Sequence, residues 1–383
     1  RDASVMPMHA TYVDTAGLLR SWADSKAFGF NVYYYAWTKA AARMAVRLHR
    51  EVGFSVAQHV SLSRWWMPSP AAVLASRGVP FVWGPVGAGE VMPLAYRGGI
   101  GLGGHIKEIS RWLARETFRL DPGLRRCARA ATVGVAVPDE SVRRLRALGV
   151  ERVARSMSLP CDVDAMTDVV PVDKPDGLFR IVSGGGATYW KVLHLAIRAF
   201  AEAFRDVPNT QYVHVCGGPQ LPRLQRAAER LGIADRVHLV GEKPHTENLR
   251  WVKTADIYAL TAMRDSSAHL YEAIAAGVPC VVSDLMSGRV VIDETCGRRV
   301  PIVGGPAQFV ETMAKHFREL FDDAELRKRL GDGARQRAIE FGTEAYVKRT
   351  DELFSDVIRQ ARSHRVVVGG DAAEPPARTL AGC

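Results

Sequence analysis

The chain has no apolar run of about 18 residues, so its sequence offers no segment that could cross a membrane as a helix. Its six cysteines show neither a Cys-x-x-Cys pair nor any other spacing typical of a metal site. Most of them lie in apolar stretches, which favours buried, reduced thiols in an enzyme of the cytoplasm. The glycine-rich turn at residues 184–189 is not a G-x-G-x-x-G dinucleotide fingerprint, because Tyr189 occupies the third glycine position, which argues against an NAD-dependent dehydrogenase.

Acidic residues are scarce in the first part of the chain. The net charge is +10, and residues 1–160 alone hold 22 Lys/Arg against 11 Asp/Glu, a balance of +11. Such a field attracts phosphates, anionic lipid or nucleic acid, although free use of arginine would produce the same excess. No nucleic-acid-binding motif accompanies the charge, so nucleic acid is not expected as a partner.

Strand and helix patterns alternate along most of the chain. Residues 54–60 and 79–83 look like short buried strands joined by a helix, and the same alternation returns after residue 178. Because a strand–helix–strand unit places its strands parallel, the sequence predicts an α/β protein with parallel sheets. The polar stretch 168–177 separates two such regions, and 383 residues suit two domains.

The most informative stretch covers residues 255–284, which predicts strand, polar loop, helix and second strand. Loops that follow the carboxyl end of a strand are where open α/β sheets bind ligands. Glu272 is expected in the first turn of the helix, where core packing needs no carboxylate. It could contact a ligand, or it could simply complement the helix dipole.

The Glu272-Ala273-x3-Gly277-x-Pro279 signature resembles the donor loop of retaining GT-B glycosyltransferases of the family 4 type, the glycosyl transferases group 1. The resemblance implies two Rossmann-like domains facing across a cleft, with a nucleotide-diphosphate sugar as donor. Relatives carry two acids in this loop, and Glu272 matches the second, which contacts the ribose. The first would fall at Arg264, whereas the acid present is Asp265, which indicates a loop shortened by one residue.

The resemblance also assigns donor contacts to two short segments. One is the acid loop itself, and the other follows a strand, where relatives hold the base through backbone groups. The residues expected there are Asp265, Ser266, Ser267, Ala268 and His269 in the first segment and Gly241, Glu242, Lys243 and Pro244 in the second.

Gly184, Gly185 and Gly186 form a turn between a strand and a helix, a position suited to phosphate binding. Relatives place an arginine, a short spacer and then Trp-Lys-Gly here, and the arginine and lysine contact the diphosphate. Lys191 matches that lysine, although it could be an ordinary lysine at the start of a helix. Gly186 replaces the arginine and Val192 the glycine, so half of the cationic clamp is missing and activity is expected to be impaired.

Two features of the first region of the chain also resemble the family. His59 ends a predicted strand where relatives often have a histidine near the donor sugar, or it satisfies a local hydrogen bond. With Lys191 and Glu272, it completes the expected catalytic set. Gly87, Ala88 and Gly89 resemble a glycine loop that faces the cleft and the acceptor in relatives, or they form an ordinary turn.

Residues 105–130 are basic and amphipathic. Lys107, Arg111, Arg115 and Arg119 recur every fourth residue, which would place them on one helical face beside apolar residues such as Trp112. This pattern predicts contact with an anionic membrane surface, hence a peripheral position at the inner face of the membrane. The alternative is a solvated outer helix.

The resemblance divides the chain into four parts: an acceptor domain (1–170), a donor domain (171–345), a helix that crosses back to the first domain (346–362) and a disordered tail (363–383). The first domain lacks the opening strand and glycine turn of relatives and is therefore predicted to be shortened at its N-terminus.

The predicted function is a retaining hexosyltransferase that moves sugar from a UDP- or GDP-linked donor to a glycan or lipid-linked acceptor. Envelope or exopolysaccharide biosynthesis is the expected process, and no metal or other cofactor is required. The alternative is a non-catalytic sugar-nucleotide-binding member of the family or an inactive fragment, which Gly186 and the shortened acid loop favour.

Overall fold

The computed structural model describes residues 11, 13, 29–60, 63–87, 89–137, 139–156, 160–264 and 268–368. Within these residues the chain forms two parallel β-sheets, one of four strands and one of six, each flanked by helices. The predicted α/β fold with two Rossmann-like halves is confirmed. The shortened N-terminus stays a prediction.

The first half carries the four-stranded sheet, whose strands follow one another in the order β1-β2-β3-β4. Asp121 caps the third helix by accepting hydrogen bonds from the N–H groups of Gly123 and Leu124, and Pro122 occupies the first helical position. The main elements in chain order are α1 (Gly29–Val52), β1 (Ala57–His59), β2 (Phe81–Val86), α2 (Gly101–Phe118), α3 (Pro122–Ala130), β3 (Val133–Ala136), α4 (Asp139–Leu148) and β4 (Val153–Arg155), with 3₁₀ helices at Pro70–Arg77 and Leu94–Gly99 before α2.

The second half carries the six-stranded sheet. The four inner strands of this sheet are almost wholly buried, as a parallel sheet covered by helices requires, and each face has its own apolar core. The elements are β5 (Phe179–Ser183), α5 (Leu193–Phe204), β6 (Thr210–Val215), α6 (Leu221–Arg230), β7 (Val237–Gly241), α7 (His245–Val252), β8 (Ile257–Leu260), α8 (Ala268–Ala275), β9 (Cys280–Ser283), α9 (Met286–Val291), β10 (Gly297–Val300), α10 (Gly305–Asp322), α11 (Ala324–Glu340) and α12 (Thr343–Val368).

Helix α12 returns to the first sheet. Leu353, Phe354 and Val357 pack against valines of β2 and β3, and Arg152 beside β4 pairs with Asp356 at 2.5 Å. The helix continues to Val368, past the predicted start of a disordered tail at residue 363, and residues 369–383 lie outside the described part.

A second contact joins the two halves through the segment before α2. Met92, Tyr96 and Ile100 belong to the apolar core of the second half, where the Tyr96 ring meets Phe309 edge to face at 5.8 Å. The Tyr96 hydroxyl donates to the carbonyl oxygen of Ile302 at 3.0 Å. The two sheets are thus packed as parts of one molecule.

The basic segment exposes some of its arginines, such as Arg119, and turns others inward. It forms two helices, α2 and α3, rather than one, and α2 turns Glu108 and Arg115 into the protein, each 2% exposed. Arg111, between them, is half-buried. A shared face for Arg111 and Arg115 is therefore correct, but that face points inward because its charges find partners there.

Candidate functional site

The strand order identifies one edge of the second sheet as a place for a ligand. The sheet has the order β10-β9-β8-β5-β6-β7. Strands β6 and β7 are therefore added on one side of β5 and strands β8 to β10 on the other, which makes the gap between β5 and β8 a topological switch point. At such a switch point the loops after the two neighbouring strands diverge and leave a crevice at the carboxyl ends. The loop after β5 holds Gly184–Gly186 and Lys191, and the loop after β8 leads to Glu272.

These two loops are hydrogen-bonded to each other. The Thr261 hydroxyl donates to the carbonyl oxygen of Lys191 at 2.6 Å, and the Met263 N–H donates to the carbonyl oxygen of Trp190 at 2.9 Å. The glycine turn and the acid loop therefore hold a fixed geometry relative to one another.

Two of the three glycines in the turn are structurally required. A Cβ at Gly184 would lie 2.8 Å from the Cγ of His269, and Gly185 has a φ of 88°, which side chains rarely adopt. Gly186 differs, because a Cβ there would meet only the carbonyl oxygen of Gly217, at 3.9 Å. The backbone could therefore carry a side chain at the position where relatives have arginine.

Glu272 lies further into its helix than the sequence indicated. Helix α8 begins at Ala268, so Glu272 occupies the second turn, and no acidic residue lies in the first. Its Oε1 is 2.6 Å from Nε2 of His245, while its buried Oε2 has no hydrogen-bond partner among the described residues. Because dipole effects fade beyond the first turn, the helix-dipole interpretation loses support, and one carboxylate oxygen is left for a ligand.

Lys191 and Glu272 both influence the pKa of His269 and the pKa of Cys216. Burial lowers the pKa of His269, an effect that Glu272 opposes and Lys191 strengthens. Burial raises the pKa of the Cys216 thiol, where Lys191 opposes the shift and Glu272 adds to it. His269 Nε2 lies 3.5 Å from Cys216 Sγ and 3.9 Å from Glu272 Oε2. The ammonium and the carboxylate are therefore both close enough to influence these two side chains.

Lys191 is 5% exposed and ends a 3₁₀ turn over Tyr189–Lys191. It is thus a buried residue at the turn rather than a surface lysine at a helix start. Val192 follows with φ 39° and ψ 38°, the left-handed region, which is strained for a β-branched residue. This conformation explains why relatives have glycine at that position.

Some of the other residues predicted to contact the donor are described by the structure, and some lie outside the described residues. Gly241 adopts φ 79° at the end of β7, and Glu242 packs beside Gly217, where a Cβ would lie 3.0 Å from the Glu242 Cβ. Lys243 pairs with Glu247 at 3.8 Å and leads through Pro244 into α7. Ala268 begins α8, while Asp265, Ser266 and Ser267, like Ala88 of the acceptor loop, lie outside the described residues.

Arg264, at the position of the first family acid, has a different role. Its guanidinium donates to Glu108 Oε1 of α2 at 2.6 Å and stacks over the Trp190 ring at 4.5 Å. The Tyr189 hydroxyl donates to the same Glu108 oxygen at 2.8 Å. All the charged atoms are buried, so this pair joins the acid loop to the first half of the molecule.

Arg111 on α2 is close to charged groups of both halves. Burial lowers the pKa of Arg111 on α2, and the positive charges of Arg264 and Arg64 lower it further. Arg64 follows β1 and forms a parallel bridge with Gly87 after β2. Arg111 therefore lies within electrostatic reach of Arg64 in the first half and of Arg264 in the second.

His59 and the glycine loop belong to the first edge. His59 is 7% exposed at the end of β1, with its Nε2 3.4 Å from the Tyr34 hydroxyl oxygen. The Gly89 carbonyl oxygen accepts from Arg115, and its N–H donates to Ser141 Oγ at 3.2 Å. The loop is thus anchored by buried polar contacts. Both features belong to the first half, whereas Lys191 and Glu272 belong to the second.

Sequence reasoning missed three participants. His245, Cys216 and Glu108 contact predicted site residues, yet His245 lies 27 residues from Glu272 and Glu108 lies 156 residues from Arg264. The histidine in the Gly-Glu-Lys-Pro-His segment was the only signal that could have indicated the first of them.

The buried His214 and the half-buried His194 predict that the protein loses stability in mild acid. Burial lowers the pKa of His214 to about 3 and that of His194 to about 4, against about 6.5 in the unfolded chain. Below pH 6.5 the unfolded state therefore binds more protons than the folded state. The free energy of unfolding should fall by about 1.4 kcal/mol per pH unit for each histidine, or about 2 kcal/mol each between pH 6.5 and 5.

Chemical denaturation at pH 7, 6 and 5 measures this slope. His194→Gln should remove the contribution of His194 to the pH dependence of the free energy of unfolding. His238→Gln, at an exposed position, should leave this slope unchanged. Equal slopes in all three proteins would contradict the prediction.

A family model covers most of the second half. Residues 167–337 match the model described as "Glycosyl transferases group 1". Among the residues that the structure describes, no helix is long and apolar enough to cross a bilayer.

Curated relatives match over part of their length. An exopolysaccharide phosphotransferase of Streptomyces coelicolor is 31% identical over 190 residues, which is 46% of this chain and 20% of that protein. A D-inositol 3-phosphate glycosyltransferase of Catenulispora acidiphila is 29% identical over 271 residues, 66% of this chain and 56% of the relative. The chain thus spans about a fifth to just over half of these relatives.

Solved structures share the fold across both halves. WaaG, a glycosyltransferase involved in lipopolysaccharide biosynthesis, superposes with a TM-score of 0.54 at 17% identity, covering 89% of this chain and 84% of WaaG. HepE of Anabaena, solved with UDP, gives 0.60 at 14% identity, covering 83% and 82%. The chain therefore has the GT-B fold seen in these glycosyltransferase structures, and its residues 167–337 resemble the glycosyl transferases group 1 model.

Proposed function

We propose that the chain is a retaining hexosyltransferase that binds a UDP- or GDP-linked sugar between Lys191 and Glu272. The observation that carries the proposal is the switch point of the second sheet, where the turn that ends in Lys191 and the loop that leads to Glu272 are hydrogen-bonded to each other. Lys191 is buried there, and Oε2 of Glu272 has no hydrogen-bond partner among the described residues. A nucleotide sugar offers a diphosphate for the first and ribose hydroxyls for the second.

The proposed chemistry is electrostatic. As the bond between the anomeric carbon and the diphosphate breaks, negative charge grows on the departing phosphate. Lys191 and the N-terminus of α5, which follows the glycine turn, would stabilise that charge. Glu272 would fix the ribose, and His59 would approach the sugar from the first half. No protein nucleophile is assigned, and no metal is invoked.

The acceptor is proposed from the names of relatives. The curated matches include enzymes of exopolysaccharide and inositol phosphate chemistry, and WaaG serves lipopolysaccharide biosynthesis. We therefore propose a glycan or lipid-linked acceptor of envelope or exopolysaccharide biosynthesis. It would enter beside Gly87 and Gly89.

A second candidate is a non-catalytic protein that binds sugar nucleotides. Gly186 in place of the clamp arginine, and Arg264 engaged with Glu108 where relatives have an acid, favour it. Titration calorimetry with UDP and GDP tests the binding that both candidates share. Release of labelled sugar from a UDP- or GDP-linked donor distinguishes the enzyme from the binding protein.

Adding the missing cation should strengthen nucleotide binding. Gly186→Arg should lower the Kd for the preferred nucleoside diphosphate about tenfold, because a guanidinium–phosphate contact is a charge-assisted hydrogen bond. The turn has space for a Cβ at this position, with no backbone atom closer than 3.9 Å.

Gly186→Gln is the matched control, since it adds a comparable side chain without charge. Calorimetry should give a Kd for Gly186→Gln close to that of the unaltered protein. Equal affinities for the Arg and Gln variants would contradict a diphosphate site at this turn.

A further inference from the structure

Helix α2 carries an arginine for which the protein supplies no acid. Arg111 lies on the inward side of the helix, within about 60° of the buried Glu108 and Arg115 around the axis, and is itself half-buried. Among the residues that the structure describes, its guanidinium has no hydrogen-bond or ion-pair partner. A charge withdrawn from water in this way is unfavourable unless another group comes to meet it.

The nearby carboxylate, that of Glu108, is already taken by other groups. Its Oε1 accepts from the Arg264 guanidinium at 2.6 Å and from the Tyr189 hydroxyl at 2.8 Å, and its Oε2 lies 3.9 Å from Arg97. Two arginines therefore share one carboxylate before Arg111 is counted. The cluster carries an excess of positive charge that an anionic ligand would balance.

The charges that act on Arg111 lie mainly on the side of the second half. Burial lowers its pKa, and the positive charge of Arg264 lowers the pKa further by more than that of Arg64 does. Glu108 and Tyr189 oppose the shift. Because Arg264 and Tyr189 belong to the second half and Arg64 to the first, the excess charge is concentrated beside the loops of the second sheet.

Arg264 connects this charge to the turn that ends in Lys191. Its guanidinium lies over the ring of Trp190 at 4.5 Å and over that of Tyr189 at 5.7 Å, and these two residues directly precede Lys191. In the proposed complex the diphosphate lies beside Lys191 and the ribose at Glu272. The transferred sugar is therefore the part of the donor that remains to meet the arginines.

We propose that Arg111 binds a carboxylate of the transferred sugar, so that the donor is a nucleotide-linked hexuronic acid. This inference rests on the proposed function, because it takes the donor site at Lys191 and Glu272 as given. A guanidinium presents two parallel N–H groups that match a carboxylate, and such charge-assisted bonds are stronger than those to a hydroxyl group. A neutral hexose has a hydroxymethyl group at the same carbon and would leave Arg111 without a counter-charge.

Titration calorimetry with donors that differ only in this group tests the proposal. UDP-glucuronate against UDP-glucose forms one pair, and GDP-mannuronate against GDP-mannose forms the other, so that either base is covered. In the pair whose base the chain binds, the uronate should bind at least about tenfold tighter than the neutral sugar. Arg111→Gln should abolish this preference and leave the Kd for UDP or GDP alone unchanged. Arg111→Lys, which keeps the charge but not the paired N–H groups, should retain part of it.

Lys107→Gln is the matched control, since it removes a positive charge from an exposed position on the same helix. It should keep the full preference for the uronate. Thermal unfolding distinguishes ligand binding from a structural role. Arg111→Gln should unfold at a temperature no lower than that of the unaltered protein, because it removes a charge that lacks a partner.

Three results would overturn the inference. With UDP or GDP bound normally, equal affinities for the uronate and the neutral sugar, or a preference that survives in Arg111→Gln, would overturn it and leave the proposed function standing. If the paired donors bind equally while inositol phosphate binds in an Arg111-dependent manner, the anionic group belongs to the acceptor. If neither the free nucleotides nor the four donors bind, the proposed donor site fails, and this inference fails with it.

Discussion

Replacing Lys191 with methionine should reduce sugar transfer by at least about 100-fold, the loss typical of removing one preorganised group that stabilises developing negative charge. Methionine keeps much of the buried stem and removes the ammonium. Gly186 supplies no second cation to the turn, so little should compensate for the loss. Single-turnover measurements with labelled donor give the rate of the chemical step directly, where the effect should appear.

The control is Lys348→Met on α12, which removes the same charge from an exposed position. It should transfer sugar at the normal rate. Because Lys191 is buried, circular dichroism and the unfolding temperature must be compared first. A folded Lys191→Met variant within threefold of normal activity would refute the assigned role.

Replacing Glu272 with glutamine should weaken binding of the nucleoside diphosphate by about 10- to 100-fold. The carboxylate can accept charge-assisted hydrogen bonds from both ribose hydroxyls, and such bonds are worth about 1.5–3 kcal/mol. Glutamine has the same shape but only one accepting oxygen, and the 2.6 Å contact with His245 competes for it. Calorimetry on the variant and the unaltered chain measures the difference.

Glu325→Gln separates ribose binding from a purely structural effect. Glu325 lies in the first turn of α11, where an acid favours the helix dipole. Its replacement should cost a few tenths of a kcal/mol in stability and leave nucleotide binding intact. If Glu272→Gln likewise loses little stability and keeps a normal Kd for the nucleotide, Glu272 stabilises its helix and does not bind the ribose.

Local pattern was sufficient to predict the elements around the site. The apolar run at 257–260, the helix before Gly277 and the strand from Cys280 all occur as expected. The reason is that each signal is contained within a few residues: buried strands in a parallel sheet are continuously apolar, and glycine with nearby proline ends a helix. The GT-B fold follows from repeating such units.

The partners of the site residues could not be predicted in this way. The pairs His245–Glu272 and Glu108–Arg264 depend on which loops the sheet order brings together, and sequence pattern does not specify that order. The loop containing Arg264 was predicted to bind donor, yet its arginine is engaged by a glutamate from the other half. An ion pair between residues far apart in the chain leaves no periodic pattern in the sequence.

The orientation of α2 illustrates the same limit. Its sequence indicates an amphipathic helix, and apolar faces normally turn inward. Here Glu108 is the buried partner of Arg264, and an uncompensated buried charge is very costly, so the charged side takes the inner position. The rule that a buried charge needs a partner was available from the start, but the sequence did not reveal that Arg264 is the partner of Glu108.

The structure of the chain with bound UDP or GDP tests the central claim most directly. We expect the ribose hydroxyls within about 3.2 Å of the Glu272 carboxylate and the diphosphate beside the Lys191 ammonium, against the turn of Gly184–Gly186. A nucleotide bound elsewhere, or one at this switch point whose diphosphate points away from Lys191, would contradict the account.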